Sequence, residues 1–357
     1  MEPDAVFSKR RTWAGWGPVF ALIVLWAALG MSGCGKQEQA AAPPVGPVGP
    51  PPAPAAGGEG AQLTIFHAAS LARPFRDLEQ LFRERHPGVE VVRESGTSVG
   101  EARKISDLGR KCDVYASADY TVVDDVLMPD HAGYNILFAR ERIVLAHTQR
   151  SKYATELTGD NWYEIVLRPD VHVGYANPAL APVGWRTLLT WKLADLHYKD
   201  KLKGRSFYEQ MKAKVPAKHV VPDVAGLEPM LESLELDYAF MYKGTAMQHN
   251  LQTVKLPDEV DLGSEEFAEQ YAKAEVTMKD KDGKEQTRRG APCVYGTTIV
   301  KDAPHPELAV EWLKLLFSEE GQEIMKADFL ESVAPPLCRD PGVLPPELRD
   351  LVEKADF

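Results

Sequence analysis

From Leu63 onward, short apolar runs alternate with longer amphipathic stretches, and few folds are open to a chain with that pattern. Leu63-Thr64-Ile65-Phe66 reads as a strand. Pro74 to His86 reads as a helix, with Phe75, Leu78 and Phe82 on one face and Pro74 suited to its first turn. Val89 to Arg93 gives a second strand, Val99 to Leu108 a second helix and Asp113 to Ala116 a third strand. Strand and helix taking turns in this way predict a parallel α/β sheet. Phe138 to His147 is a longer apolar run, placed to leave one domain and enter another. The pattern then repeats: a helix at Asn161 to Leu167, a strand at Val171 to Ala176, and a helix from Trp185 to His197 striped by Trp185, Leu188, Leu189, Leu193 and Leu196. An amphipathic segment runs to Glu235, and Asp237 to Tyr242 is a strand. A last strand, Cys293 to Val300, and a helix striped by Leu308, Trp312, Leu315 and Leu316 are expected to return to the first domain. These stripes have the spacing of core positions.

Composition narrows the function. The chain of 357 residues carries a formal charge of −11. Four acids (Glu2, Asp4, Glu38, Glu59) and four bases (Lys9, Arg10, Arg11, Lys36) balance in residues 1 to 60, so all of the excess acidity lies beyond them. An acidic body argues against a nucleic-acid partner, whose binder needs a basic face. It leaves small anions open as ligands, because backbone N–H groups and hydroxyls hold them regardless of net charge. Hydrophobic content of 44% suffices for two cores over residues 61 to 357, since single cores stop growing near ~250–300 residues.

The N-terminus reads as an address. Lys9, Arg10 and Arg11 form a basic region ahead of the apolar stretch Trp13 to Gly30, as in a secretory signal. Met31-Ser32-Gly33-Cys34 follows, and small residues before a Cys resemble a bacterial lipobox, so residues 1 to 33 are expected to be removed and Cys34 to carry lipid. The alternative is an uncleaved anchor. Residues 34 to 60, rich in Ala, Pro and Gly, read as an extended tether. Export would place Cys112, Cys293 and Cys338 in an oxidising compartment, with Cys293 and Cys338 as the candidate disulfide. No Cys or His spacing suggests a metal site or a cofactor.

Two turns carry the chemistry: His67-Ala68-Ala69-Ser70-Leu71 after the first strand, and Glu94-Ser95-Gly96-Thr97-Ser98-Val99 after the second. Each sets a hydroxyl and unpaired amides at the carboxyl end of a strand, where open α/β sheets bind ligands and helix N-termini favour negative charge. Gly96-Thr97-Ser98-Val99-Gly100 also matches the G-x-S-x-G nucleophile elbow, leaving an exported serine hydrolase as an alternative, with Ser98 as nucleophile and His249 or His305 as base.

The segments FHAASLARPF (66–75), SGTSVGEARKI (95–105), DVYASADY (113–120), LESLELDYAFMYKG (231–244), KLPDEVDLGS (255–264) and VYGTTIV (294–300) closely resemble the tungstate/molybdate-binding proteins of ABC importers. With the Asn177-Pro178 and Leu256-Pro257-Asp258-Glu259 segments, the likeness runs in order over essentially all of residues 61 to 357. It implies a type II periplasmic binding protein fold: two α/β lobes, residues 61–143 with 290–357 and residues 144–289, around a cleft that holds an oxyanion. It implies no enzyme activity, a periplasmic or cell-surface monomer, and delivery of the anion to a permease driven by an ATPase. Sulfate or phosphate is the nearer alternative to tungstate or molybdate as ligand.

Carried over residue by residue, the resemblance puts the anion site at Ala69, Ser70, Ser98, Val183, Val224 and Tyr242. Relatives similar to the archaeal tungstate receptors complete a six-coordinate metal with an Asp and a Glu. Here those positions read Ala181 and Val224, with Asp223 one residue away. The implied site therefore lacks ligand carboxylates and holds an intact tetrahedral dianion. Pro229 implies that the helix after Val224 starts late. Glu232 and Glu235 read as a solvated face, and Asp113 and Asp119 as capping or structural groups.

Overall fold

The computed structural model describes residues 60–279 and 283–357; the leader, Cys34 and the tether up to residue 59 lie outside them. The chain first lays down β1 (Gln62–Ala68), β2 (Glu90–Gly96), β3 (Val114–Ser117) and β4 (Ile136–Glu141). It crosses to a second sheet made of β5 (Ile143–His147), β6 (Val173–Ala176), β7 (Val220–Val221), β8 (Tyr238–Tyr242) and β9 (Gln252–Lys255). A hairpin of β10 (Glu275–Lys279) and β11 (Glu285–Arg289) follows. The chain then returns as β12 (Cys293–Ile299), β13 (Glu331–Cys338) and β14 (Glu353–Lys354). The first lobe's sheet has the order β14-β13-β4-β12-β3-β1-β2, and the second lobe's β7-β6-β8-β5-β9.

The sheets are mixed, not parallel. β1 runs parallel to β2 and β3, and β6 parallel to β7 and β8, because amphipathic helices carry the chain back between them. The strands that cross between lobes have no such helix: β12 is antiparallel to β3 and β4, and β5 to β8 and β9. The single apolar run at Phe138 to His147 is thus two strands, broken at Arg142 and belonging to different sheets.

Helix α1 (Ala72–Arg85) buries Phe75, Leu78 and Phe82 and holds Pro74 in its first turn. Phe75 and Phe82 meet Trp312 of the helix Pro306–Phe317 at ring centroid distances of 5.5 and 5.6 Å. Helix α2 (Ser98–Ser106) follows β2. Helix α3 (Pro182–His197) is buried on almost every side from Pro182 to Ala194, as expected of a helix surrounded by its own lobe and the cleft. Leu196, assigned to its apolar stripe by spacing, is 44% exposed.

Cys293 and Cys338 do not pair; they and Cys112 are free and buried. β12 and β13 flank β4 on opposite sides, and Cys293 lies opposite Glu141 whereas Cys338 lies opposite Ile136. Five residues along β4 separate the two registers, about 16 Å at ~3.3 Å per residue, well beyond the ~7 Å that a disulfide spans.

The crossing at Arg142 is tied down by the Leu256-Pro257-Asp258-Glu259 segment. Arg142 Nη1 donates to Asp258 at 3.1 Å and to the buried Asp261 at 2.9 Å. Beside it, Glu141 is buried and accepts from the amides of Arg142 at 3.1 Å and Gly244 at 2.8 Å. Burial outweighs those two bonds and pushes the Glu141 carboxyl up to about 8. The unfolded chain releases this proton near pH ~4.3. The folded state therefore gains stability that is full below that pH and is lost as pH rises through about 8. Thermal melts from pH 5 to 9 should show Glu141→Gln gaining on the wild type as pH rises, and parallel curves would exclude Glu141 as the source.

Candidate functional site

Four turns converge between the lobes, two from each sheet, all at the carboxyl ends of parallel strands. β1 passes into the single 3-10 turn Ala69–Leu71 ahead of α1. β2 passes into α2, whose cap Thr97 accepts from the Gly100 amide at 3.2 Å. In the second lobe, β6 leads through Asn177-Pro178 to α3, which Pro182 opens with its preset φ. β7 leads to the 3-10 turn Val224–Gly226, capped by Asp223 Oδ1 accepting from Ala225 at 3.0 Å, and then to α4 (Leu227–Glu232). First-turn amides have no carbonyl one turn earlier to receive them. Those of Ala69, Val183 and Val224 are therefore available to a ligand between the turns.

The turns enclose a cavity of about 30 Å³. That exceeds the ~10–15 Å³ needed by one water and falls far below the ~300–1,000 Å³ of pockets for drug-sized ligands. The first lobe lines it with Ala68, Ala69, Ser70, Gly96, Thr97, Ser98 and Ala118, the second with Ala181, Pro182, Val183, Asp223, Val224 and Tyr242. All six residues expected from the sequence thus meet at one cavity.

The two serine hydroxyls are held in a particular state. Ser70 Oγ accepts from the Tyr295 phenol at 2.9 Å, and Ser98 Oγ accepts from the Ala118 amide at 3.1 Å. A hydroxyl has one proton to give, and with an acceptor position of each occupied by a buried neighbour that proton remains for the cavity. Tyr115 fixes the same turn by donating to the Ser98 carbonyl at 2.7 Å. Tyr242 OH lies 3.4 Å from the Ala118 carbonyl, beyond the ~2.5–3.0 Å of a good O–H···O bond, so a better acceptor can take it. Burial holds the Tyr242 and Tyr295 phenols far above their ordinary range, which keeps both protonated as donors.

Among the described residues no Lys, Arg or His lines the cavity, and Asp223 is the one carboxylate in its lining. Asp223 corrects the expectation of a cleft without carboxylates. It faces the cavity because it caps the Val224 turn, and an Asx cap must sit beside the amides it receives. Pro229 falls in the first turn of α4, which begins at Leu227, while Val224 belongs to the preceding 3-10 turn. Glu232 and Glu235 are exposed. Asp113 accepts from the Thr64 and His305 amides at 2.7 and 2.6 Å, away from the cavity. Sequence reasoning passed over Ala118 and Thr97, which contribute backbone and a cap; neither carries a side chain that announces an anion site.

Residues 63–331 match the family described as bacterial extracellular solute-binding protein. The chain belongs to that family. A molybdate/tungstate-binding protein of Pyrococcus abyssi is 39% identical over 315 residues, covering 82% of this chain and 90% of its own. An uncharacterized solute-binding protein of Petrotoga mobilis is 38% identical over 293 residues, again covering 82% and 90%. The fold is that of the type II periplasmic binding proteins. The Azotobacter vinelandii periplasmic molybdate-binding protein superposes with a TM-score of 0.52 at 17% identity, covering 75% of this chain and 98% of that one. The sulfate-binding protein SubI of Mycobacterium tuberculosis gives 0.55 at 12% identity, covering 76% and 87%.

This solute-binding protein is not a serine hydrolase. Its relatives are named binding proteins. Ser98 is the first residue of α2, not the tip of an elbow, and its Oγ already receives the Ala118 amide. His249 contacts Glu228, and His305 lies 3.8 Å from Asp113; neither lines the cavity with Ser98.

Proposed function

We propose that this solute-binding protein captures tungstate or molybdate and delivers it to the permease of an ABC importer, which an ATPase drives. In this reading the chain is an exported monomer anchored at the membrane through lipid on Cys34. Residues 61–143 with 290–357 move as one lobe and residues 144–289 as the other. A dianion enters the open cleft, the lobes close about their hinge, and neutral donors replace its hydration water. Those donors are the amides of Ala69, Val183 and Val224, the hydroxyls of Ser70 and Ser98, and the phenol of Tyr242. The observation that carries the reading is the pair of buried hydroxyls already accepting from Tyr295 and Ala118, each left with a proton to donate into a cavity of about 30 Å³. The name of the Pyrococcus relative supports the choice of metal oxyanion over other tetrahedral anions.

With Ala181 and Val224 supplying no carboxylate, Asp223 is the one carboxylate in the cavity lining, short of the two that complete a six-coordinate centre, and the anion stays four-coordinate. Metal-edge spectroscopy of the bound complex is expected to give a tetrahedral signature, and a six-coordinate one would sink this part of the proposal. Calorimetry of the mature chain against tungstate, molybdate, sulfate and phosphate should rank the two metal oxyanions first. Binding of none of the four refutes the receptor reading.

Asp223 favours one competing ligand. The cap uses one of its two carboxylate oxygens, and a carboxylate only accepts. Hydrogen phosphate carries a proton to give, whereas tungstate and molybdate dianions do not. If phosphate ranks first and Asp223→Asn transfers the preference to sulfate, the phosphate reading replaces the metal oxyanion.

A further inference from the structure

We propose that Asp119 and Arg186 form a latch across the cleft, an ion pair completed only when the lobes close, and that it sets how long the bound anion is retained. This rests on reading the cavity as an anion site. Asp119 follows β3 in the first lobe and is 0% exposed; Arg186 lies in α3 of the second lobe and is 2% exposed. Arg186 Nε donates to Asp119 Oδ2 at 2.8 Å, with Nη2 2.6 Å from the same oxygen, and Trp185 Nε1 adds a third donor at 3.2 Å. Asp119 Oδ1 meanwhile takes the amide and hydroxyl of Thr121 at 3.0 and 2.8 Å. Arg186 Nη1 donates to the Ala291 carbonyl, on the segment that returns between the lobes.

The pair sits just beyond the anion on both sides. Ala118, one residue before Asp119, and Val183, three before Arg186, line the cavity. Burying an ion pair repays its desolvation only when geometry is good and the hydrogen bonds are complete. Partial closure would leave both charges dehydrated and apart, so the cleft favours fully open or fully latched. The pair also cancels a negative charge that would otherwise repel the dianion at short range. Arg288 of β11 adds a second ion pair, to Asp125 of the first lobe, and lies 4.9 Å over the ring of Trp185, the third donor to Asp119.

Asp119→Asn removes the charge yet keeps an acceptor for Thr121. In the full chain it should raise the rate of tungstate or molybdate release at least ten-fold while leaving association within two-fold of wild type. Distances between spin labels at the exposed positions 108 and 196, one in each lobe, should shift toward longer values. Arg186→Lys keeps the charge with fewer donors and should fall between the two, which covers a failure of Asp119→Asn to fold. A merely structural pair would lower the melting temperature without changing release. Wild-type release together with an unchanged distance distribution overturns the latch. If the wild type binds no oxyanion, the receptor reading fails and the latch, which rests on it, falls with it; a wild type that binds, with release from Asp119→Asn no faster, overturns the latch alone.

Discussion

Replacing both cavity hydroxyls, Ser70→Ala with Ser98→Ala, is expected to weaken oxyanion binding by roughly 10²–10⁴-fold. A hydrogen bond to a charged partner is worth ~1.5–3 kcal/mol, so each serine alone should cost on the order of 10- to 100-fold. The effect is large because nothing can substitute for the lost donors. Among the described residues the cavity of about 30 Å³ has no cation in its lining, and its walls come from six separate segments, the four turns together with Ala118 and Tyr242. Water cannot repair the loss where Ser98 is only 1% exposed. Each change also strands a buried neighbour, the Tyr295 phenol or the Ala118 amide, so the melting temperature of the unliganded protein should fall as well. Calorimetry on the two single variants and the double one separates the contributions. A double variant within ten-fold of wild type would remove both serines from the ligand shell.

The pattern of strand, turn and helix was legible because it depends on local periodicity, and the site follows from it wherever a donor opens a helix. Ser70 and Ser98 could be read for that reason. Other features depend on long-range pairing that no local pattern records. The crossing strands β4, β5 and β12 look like ordinary apolar runs, and only the sheet order reveals their antiparallel direction. Cys293 and Cys338 are compatible in count but lie on opposite sides of β4. β13 contains Pro335 and Pro336, which argue against a strand, yet its pairing with β4 breaks between Ser332 and Leu337 and spares the prolines from the ladder. Asp223 was legible only as the neighbour of the expected position, because one position of register separates a capping carboxylate from the apolar Val224, and the register rested on counting back through a helix that starts late.

Gly184→Val is expected to abolish measurable anion binding and to lower the melting temperature by several degrees, although this residue does not line the cavity. Gly184 is the third residue of α3, where the helix starts directly against the end of β6. A Cβ here would lie 2.7 Å from both the Asn177 carbonyl carbon and the Pro178 nitrogen, and closer still to the Ala176 carbonyl oxygen. All three are backbone atoms, so no rotamer change relieves the clash, and overpacking of this kind costs ~1–3 kcal/mol or more. The relief available is displacement of the α3 N-terminus. That moves Val183, which lines the cavity, and carries Trp185 and Arg186 away from Asp119. Displacements near 1 Å are enough to ruin a site built from fixed donors. Gly226, at the end of the Val224 turn, provides the contrast. The nearest atoms to its added Cβ would be those of the Val221 side chain, at 3.0 to 3.4 Å, which can yield by a few tenths of an ångström. Gly226→Ala should therefore bind within a few-fold of wild type, whereas Gly184→Ala should already lose most of its affinity. Equal affinities for the two alanine variants would mean that the seat of α3 against Asn177-Pro178 does not hold the cavity in register.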